Sequence, residues 1–471
     1  MAPPAQQARS RDLRPCRRQK QGRRLIPVLD RCNAASAKRG GCALGKTTVA
    51  NTEQSRDEPG LLGRVLHRAT SRPVLTIFAA LHAAALAVVS LRYLLSLKGP
   101  VRADGQVGTG DYMAFFTAAT LIREGKGRAL YDLALQRRTQ MRIIGRELDR
   151  WQPYQNPPAL ALVLAATAGL SYVHSFYIFT LGMVAAMAVT VLLLRRAIPA
   201  VCSSRERWIV MALLVASFYP NIRTMVGGQN TPLSLLLLSG LYASLVQRRT
   251  ATAGAFLGLL SYKPQFGALP ALMLAVQGER RTLLVAAACV AAHYVAAALA
   301  CGWSWPAAVM DMFVEARSFE WTQNLRTHFS LWPFLINVLP RPLAQVTAAA
   351  ASLGVVVYLI SRARRFRADA PEFPLFWGIV ITGTLLCSPH LQYYDAGLLV
   401  LPVLLGLDYL LRGSANLSLG TRGVLAIGYL TPPLYSAADT LGFQPLFVIL
   451  VALLVWLVWL LRKAGCRTAG A

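Results

Sequence analysis

Charged residues, and acidic residues above all, are scarce in this sequence. Charged side chains make up 15% of its 471 residues, with 21 acidic residues against 49 lysines and arginines. Hydrophobic residues reach 55% and the mean hydropathy is +0.43, so the chain is far more apolar than an average soluble domain. This shortage of charge excludes an ordinary soluble protein and predicts an integral membrane protein.

The sequence also lacks the patterns of common metal and nucleotide sites. Its 8 cysteines are scattered without C-x-x-C spacing, which favours neither a zinc site nor a disulfide framework. GGCALGKT at 40–47 matches the P-loop pattern, but the segment before it is polar, whereas a P-loop follows an apolar strand. We interpret this match as chance, and we expect no metal and no cofactor.

The basic residues are concentrated in the N-terminal segment and in short clusters between apolar runs. Residues 1–74 hold 16 lysines or arginines against 5 acids, without apolar periodicity, which predicts a disordered cytoplasmic tail or an incorrectly assigned start. Residues 462–471 are expected to form a second, short basic tail in the cytoplasm. Such clusters follow the positive-inside rule, so we do not expect nucleic-acid binding despite the net charge of +28.

Twelve apolar runs between residues 75 and 461 predict a membrane domain. The expected fold is all-α, a polytopic bundle of about 11–13 transmembrane or re-entrant helices, because several runs are shorter than the roughly 20 residues that a spanning helix needs. The basic tail places the start of the chain inside, so the polar loops at 98–156 and 302–330 are expected to be extracytoplasmic. Arginines also cluster after 177–194, so either this run or 157–170 is re-entrant, or that cluster breaks the rule. The runs are 75–97, 157–170, 177–194, 207–220, 231–246, 251–276, 283–300, 343–360, 374–388, 393–411, 423–437 and 443–461.

A polar, charge-rich stretch at 107–136 stands between two long hydrophobic runs. From Asp111 onward, apolar residues recur at positions 115, 118, 119 and 122, which predicts a helix that begins near Asp111 and packs on the membrane surface. An acid at the start of such a helix is a catalytic candidate. The alternative is that Asp111 only caps the helix by accepting hydrogen bonds from its free backbone N–H groups.

Lys263 is embedded between two apolar half-segments, beside Pro264. An ionisable group at membrane depth is costly, so it is a functional candidate by default. The alternative is that the lysine snorkels to the interface from a helix end. The lysine belongs to one of four polar motifs that interrupt the apolar runs. These motifs are YQNPP at 154–158, GGQNTP at 227–232, SYKPQ at 261–265 and SPHLQYYD at 388–395.

The other motifs supply further polar candidates. His390 is a candidate ligand for a substrate, or alternatively a hydrogen-bonded histidine at the membrane interface. Gln229 and Asn230 are candidates for substrate binding, or alternatively they bridge helices through hydrogen bonds, as amides often do in membranes.

GDYMAFFTAATLIREGKGRALYD at 110–132 resembles the first outer loop of bacterial membrane glycosyltransferases related to mycobacterial phosphatidylinositol mannosyltransferase. The four polar motifs resemble later motifs of that family and occur in the same order. The resemblance covers roughly residues 75–461. It implies a GT-C fold in the plasma membrane that transfers mannose or another hexose or pentose from a polyprenyl-phosphate donor, with inversion, to a glycolipid or glycan acceptor at the extracytoplasmic face.

The resemblance also implies roles for residues. Asp111 would be the general base, because displacing a phosphate from an anomeric carbon requires a group that takes the proton of the attacking hydroxyl. Positive charge or hydrogen-bond donors would stabilise the departing phosphate. The predicted outer loops contain no D-x-D pair, so a metal-bound nucleotide-sugar is not indicated. Candidates for substrate binding are Lys263, His390, Gln229, Asn230, Tyr131, Arg326 and His328. The main alternative is a secondary transporter or flippase, because broken helices with polar residues also form transporter sites; a purely structural membrane protein is a third.

Overall fold

The computed structural model describes residues 71–102, 107–147, 151–316, 327–413 and 417–469. Most of the predicted N-terminal tail, the GGCALGKT segment and Arg326 lie outside these ranges. Within them the chain is helical, without a β-strand and with two isolated β-bridges, Val101–Val107 and His328–Gln392. The prediction of an all-α polytopic membrane protein is confirmed.

Six of the described helices are long and apolar enough to cross a membrane, and a seventh crossing exists if one bent pair counts as a single span. The bent pair is α6 and α7, which meet at an angle of 52°. Each of the 12 apolar runs contains a helix. The α-helices are α1 Arg72–Leu95, α2 Tyr112–Arg123, α3 Leu133–Ile144, α4 Ala159–Ala165, α5 Tyr172–Ala197, α6 Arg205–Ser217, α7 Tyr219–Val226, α8 Thr231–Val246, α9 Thr250–Leu259, α10 Pro264–Gln277, α11 Arg280–Cys301, α12 Trp305–Ala316, α13 Leu331–Val338, α14 Arg341–Ala363, α15 Phe373–Cys387, α16 Val400–Gly413, α17 Leu419–Leu430, α18 Ala438–Leu441 and α19 Leu446–Ala469.

Several predicted runs do not form one continuous spanning helix. The run at 157–170 contains only the 7 residues of α4, which is too short to cross, whereas α5 has 26 residues. Of these two runs, only the second therefore contains a helix long enough to cross. The run at 251–276 is broken into α9 and α10 by a 3₁₀ turn at Leu260–Tyr262, followed by Pro264. The last helix continues to Ala469, through most of the predicted C-terminal tail.

The core of the bundle surrounds α15. Every residue from Phe373 to Leu386 is buried, as expected for a helix that is apolar on all sides. The outer helices instead expose large apolar side chains, such as Leu81 and Leu299, with 67% and 78% of their surface accessible. Such exposed apolar surface suits contact with lipid.

Helix α2 is covered by the rest of the protein. The sequence predicts a helix that packs on the membrane surface, and in the structure residues 112–119 are all buried against other parts of the chain. Tyr112 packs within 5.2 Å of Phe176 and 4.9 Å of Phe179, measured between ring centres, and its hydroxyl hydrogen-bonds to Ser175 at 2.7 Å. These contacts with α5 anchor the start of α2, and therefore Asp111, inside the bundle.

Candidate functional site

A cavity of about 1330 Å³ opens between the loop before α2 and the breaks in the apolar helices. Ligand pockets commonly measure about 300–1,000 Å³, so this one has room for more than one ligand head group. Four of the predicted site residues lie on its wall, namely Asp111, Gln229, Lys263 and His390. Asn156 of the YQNPP motif also lines the cavity, so the structure brings together residues from all four polar motifs and from the loop before α2.

Asp111 precedes α2 but its side chain does not cap the helix, because it accepts no hydrogen bond from the α2 backbone. Its Oδ2 atom instead accepts a hydrogen bond from the side-chain amide of Gln229 and another from the hydroxyl of Tyr394, the latter at 3.0 Å. The capping hydrogen bond of the alternative interpretation is therefore not found. Two side chains from distant parts of the chain orient the carboxylate at the cavity wall.

The contact between Asp111 and Gln229 depends on two glycines. Gly110 and Gly228 have φ angles of +53° and +64°, which favour glycine. A Cβ atom on Gly110 would lie 2.6 Å from the carbonyl oxygen of Gly227, and one on Gly228 would lie 2.5 Å from Cβ of Tyr112. Only glycine lets the two backbones approach this closely, which explains why glycine precedes both Asp111 and Gln229.

The environment of Asp111 raises the pKa of its carboxyl group. Burial is the largest cause, while the hydrogen bonds from Tyr394 and Gln229 and the charge of Lys263 act in the opposite direction. The position of Asp111 at a helix N-terminus would by itself favour the ionised carboxylate and lower this pKa, so the effect of burial is opposite and larger. A raised pKa makes the carboxylate a stronger base, which takes a proton more readily.

Lys263 lies at the break between α9 and α10 and is buried, with 7% of its surface accessible. It does not snorkel to the surface. Its Nζ atom is 3.4 Å from Oδ1 of Asp395, and that oxygen also accepts a hydrogen bond from the Thr231 hydroxyl at 2.8 Å. Asp395 was not among the predicted site residues, although it belongs to SPHLQYYD. A buried lysine needs such a partner, since an isolated charge would be strongly unfavourable.

Three consecutive residues of one 3₁₀ helix, Tyr393–Leu399, carry the contacts of the site. Tyr393 accepts a hydrogen bond from Nη2 of Arg223 at 3.4 Å, Tyr394 binds Asp111, and Asp395 pairs with Lys263. Because a 3₁₀ helix has 3.0 residues per turn, consecutive side chains point about 120° apart. The acid, the lysine and the arginine therefore meet this helix on three different faces.

His328 and His390 form a pair at the edge of the site. Nε2 of His328 and Nδ1 of His390 are 3.1 Å apart, and the β-bridge between His328 and Gln392 holds the two segments together. Burial, then the neighbouring His328 and Lys263, hold the pKa of His390 well below its ordinary value. His390 is therefore a neutral hydrogen-bonding group at neutral pH and not a cation.

Two predicted site residues lie behind the cavity wall. The hydroxyl of Tyr131 donates a hydrogen bond to the backbone oxygen of Asn156 at 2.9 Å, and Asn156 lines the cavity. Asn230 is fully buried, and neither polar atom of its side chain has a hydrogen-bond partner within the described residues. Both residues lie beneath the wall and not on it. The described residues contain no cluster of three or more His, Cys, Asp or Glu side chains that could hold a metal ion.

The sequence-based candidates omit Arg223, Tyr219 and Tyr393, all of which line the cavity. Arg223 lies between the apolar runs at 207–220 and 231–246, four positions before the GGQNTP motif and away from every arginine cluster. A lone arginine outside the basic clusters is the feature of the sequence that could have identified this residue as a site candidate. Tyr393 lies within SPHLQYYD, the motif in which the sequence indicates only His390 as a site residue.

The comparisons with known proteins give one match. The family model for glycosyltransferase family 87 matches residues 154–389, half of the chain. The matched part contains Arg223, Gln229, Lys263 and His328 and ends one residue before His390, while Asp111 precedes it. No curated protein and no solved structure matches.

Proposed function

The chain belongs to glycosyltransferase family 87, and we propose that it transfers a sugar from a polyprenyl-phosphate donor to a glycolipid or glycan acceptor. We place the reaction at the extracytoplasmic face of the plasma membrane, within a GT-C-like bundle. The resemblance of the loop and motifs to the relatives of mycobacterial phosphatidylinositol mannosyltransferase supports mannose, or another hexose or pentose, as the sugar.

The arrangement around Asp111 carries this proposal. Its carboxylate lies on the wall of a large cavity in a membrane protein, it makes no capping hydrogen bond, and two side chains orient it. Burial also raises its pKa, which suits a group that must accept a proton. An acid with a purely structural role would have no reason to combine all of these features.

In the proposed reaction an acceptor hydroxyl gives its proton to Asp111 as its oxygen attacks the anomeric carbon of the donor sugar. The bond between that carbon and the phosphate oxygen breaks on the opposite face, and its electron pair leaves with the polyprenyl phosphate. Attack from the face opposite the leaving group inverts the anomeric configuration. The acid formed on Asp111 afterwards returns its proton to solvent.

Lys263 and His390 are proposed to stabilise the departing phosphate. The Lys263 ammonium has three donor hydrogens, and Asp395 uses one of them, so others remain for phosphate oxygens. His390, whose pKa is held well below its ordinary value, would act as a neutral hydrogen-bond donor. Fixed hydrogen-bond donors at the place where negative charge develops commonly make the largest single contribution to the rate enhancement.

A transporter or flippase remains the second candidate, because α9 and α10 form a broken helix with a buried lysine at the break. Family membership favours the enzyme. Purified protein in proteoliposomes can be given radiolabelled sugars on polyprenyl phosphate and a bacterial envelope lipid extract. Label transferred to extracted lipid supports the enzyme, whereas movement of unaltered label across the membrane supports the transporter.

Asp111→Asn is the decisive variant in this assay. The amide keeps nearly the same shape but takes no proton at working pH, so we expect activity to fall by about 10²- to 10⁴-fold without loss of folded protein. Asp132→Asn is a matched control, because the Asp132 side chain does cap its helix, accepting from the backbone N–H of Leu135 at 2.8 Å. Activity of Asp111→Asn within a few-fold of Asp132→Asn would remove the general base from the proposal.

A further inference from the structure

We propose that four cations on the loop at 98–156 form a binding surface for the head groups of anionic phospholipids, which holds the loop that carries Asp111 against the membrane. This surface lies outside the cavity, and it concerns the anchoring of the loop and not the substrates of the proposed reaction. We call it the outer strip, and it consists of Arg123, Lys126, Arg138 and Arg142.

The first observation is an excess of positive charge in this loop. Residues 98–156 contain 10 lysines or arginines against 6 acids, whereas the second predicted outer loop, 302–330, contains 2 against 3. The positive-inside rule accounts for basic clusters on the cytoplasmic side and disfavours them in short outer loops. The charge of the loop at 98–156 therefore requires another explanation, and an anionic partner on its own side of the membrane supplies one.

The second observation is that the cations of the outer strip are exposed and only partly neutralised. Glu124 pairs with Nζ of Lys126 at 2.8 Å and with Nη2 of Arg142 at 2.6 Å, yet these two basic side chains remain 51% and 56% exposed. Arg123 and Arg138 are also exposed, and neither forms a salt bridge within the described part of the chain. One carboxylate therefore faces four cations, which leaves charge for an external anion.

The third observation places the outer strip at the level of the lipid head groups. The Arg123 guanidinium lies so close to Gly169 that a Cβ atom there would be 2.5 Å from its Cζ. Gly169 is just before α5, which begins at Tyr172 and is long and apolar enough to cross the membrane. Nearby Val163 and Leu170 are 71% and 47% exposed, and such apolar surface suits contact with lipid. Arg123 therefore lies where a spanning helix enters the bilayer.

The fourth observation is that α3 is firmly attached to the cavity wall. Arg138 and Arg142 are four residues apart and therefore share one exposed face of this helix. Gln140 is fully buried, and its side-chain amide donates to the backbone oxygen of Gln152 at 2.6 Å and accepts from its N–H at 3.3 Å. Because Gln152 lines the cavity, lipids bound at the outer strip would hold part of the cavity wall in place.

The chemistry of the outer strip matches a phosphate head group. Lysines and arginines near a membrane surface each favour anionic lipids by about 1 kcal/mol, or about fivefold. Arginine also binds a phosphate through two parallel hydrogen bonds. A soluble acidic polymer would offer similar charges, but the position of Arg123 beside lipid-facing residues favours the lipid.

A local fluorescent probe on the full chain tests the inference. Ala134 is exposed on α3, four residues before Arg138, so Ala134→Cys in a cysteine-free background can carry a bimane dye. The protein is placed in phosphatidylcholine vesicles with small amounts of phosphatidylglycerol or phosphatidylcholine that carry a nitroxide quencher high on one acyl chain. We expect labelled phosphatidylglycerol to quench the dye at a mole fraction at least about 10-fold lower than labelled phosphatidylcholine does. Arg138→Gln/Arg142→Gln should remove most of this difference, since each arginine contributes about fivefold.

Three further variants serve as controls. Arg280→Gln/Arg281→Gln removes two exposed arginines from the opposite end of the bundle and should leave the preference unchanged. Arg138→Lys/Arg142→Lys keeps the charge and should change the preference less than about twofold. Arg138→Gln alone breaks no salt bridge, so it should fold even if the double variant does not, and it should lower the preference about fivefold.

Equal quenching by the two lipids in the otherwise unmodified protein overturns the inference. A preference for phosphatidylglycerol that survives both Arg138→Gln and the double Gln variant overturns it as well. Binding of the vesicles to immobilised polyglutamate through the same arginines, without a lipid preference, would assign the outer strip to a soluble acidic partner instead. Quenching needs no turnover, so a protein that shows the preference but transfers no sugar refutes the proposed function and leaves this surface intact.

Discussion

Replacing Lys263 with methionine is expected to have two separable effects, one on stability and one on activity. Its ammonium is 3.4 Å from Oδ1 of Asp395, and the two side chains are 8% and 2% exposed. Removing one partner of a buried ion pair leaves the other charge uncompensated and typically costs about 3–5 kcal/mol. Thr231 and the backbone N–H of Gln392 still donate to Asp395, so we expect a loss of about 3 kcal/mol, the lower end of that range.

The double variant Lys263→Met/Asp395→Asn separates the two effects. It contains no unpaired charge, and the amide oxygen of Asn still accepts from Thr231, so most of the lost stability should return. The interaction energy across the double-mutant cycle should be about 2–3 kcal/mol. Activity should not return, because the cation proposed to stabilise the departing phosphate is still missing.

Stability would be measured by unfolding the four detergent-solubilised proteins of the cycle, and activity by sugar transfer in the same preparations. Recovery of transfer in the double variant would show that Lys263 only neutralises Asp395. An interaction energy near zero would show that the ion pair contributes nothing to the fold, which would contradict the reasoning from burial.

Three further predictions concern the base, the backbone approach and the orientation. A base works in its ionised form, so kcat/KM should fall as the pH drops below the raised pKa of Asp111. The hydrogen bond from Tyr394 lowers this pKa, so Tyr394→Phe should move the acid limb of the pH profile to higher pH. Gly228→Ala should lower both the Tm and transfer activity, by about tenfold or more for activity, because its Cβ would lie 2.5 Å from Tyr112, whereas Gly428→Ala has open space and should change neither. In a cysteine-free background, a cysteine at position 142 should react with impermeant maleimide from outside, and one at 249 from the cytoplasm.

Each of these has a contrary outcome. An acid limb that Tyr394→Phe leaves in place would mean that another group controls the pH profile. Equal behaviour of the two glycine variants would show that the approach of the two loops is loose. Labelling of position 142 only from the cytoplasm would put the loop that contains Asp111 on the cytoplasmic side, which would contradict an extracytoplasmic reaction.

The helical membrane fold was predictable because the lipid bilayer imposes it. Backbone groups in hydrocarbon must be paired within a segment, so long apolar runs specify helices, and Pro264 marks the break beside Lys263. The burial of α2 within the protein was not predictable. Its small and aromatic residues suit either a lipid surface or a protein interior, and only the packing of Tyr112 against α5 decides between them.

The partners of the site residues were the least predictable part. Tyr394 lies 283 positions after Asp111, and Asp395 lies 132 positions after Lys263. No local pattern specifies contacts over such distances, since they depend on how the whole bundle closes. The same limit applies to the choice between capping and catalysis for Asp111, because an acid at the start of a helix suits either role.

The 3₁₀ helix at Tyr393–Leu399 makes chain length, as well as residue identity, a requirement of the site. One residue inserted before Tyr393 would turn each following side chain by about 120° and present Asp111, Lys263 and Arg223 with the wrong partner. Conservative substitutions at these positions are therefore milder changes than a single insertion or deletion. Libraries that vary loop lengths to alter substrate preference should leave residues 388–395 at their present length.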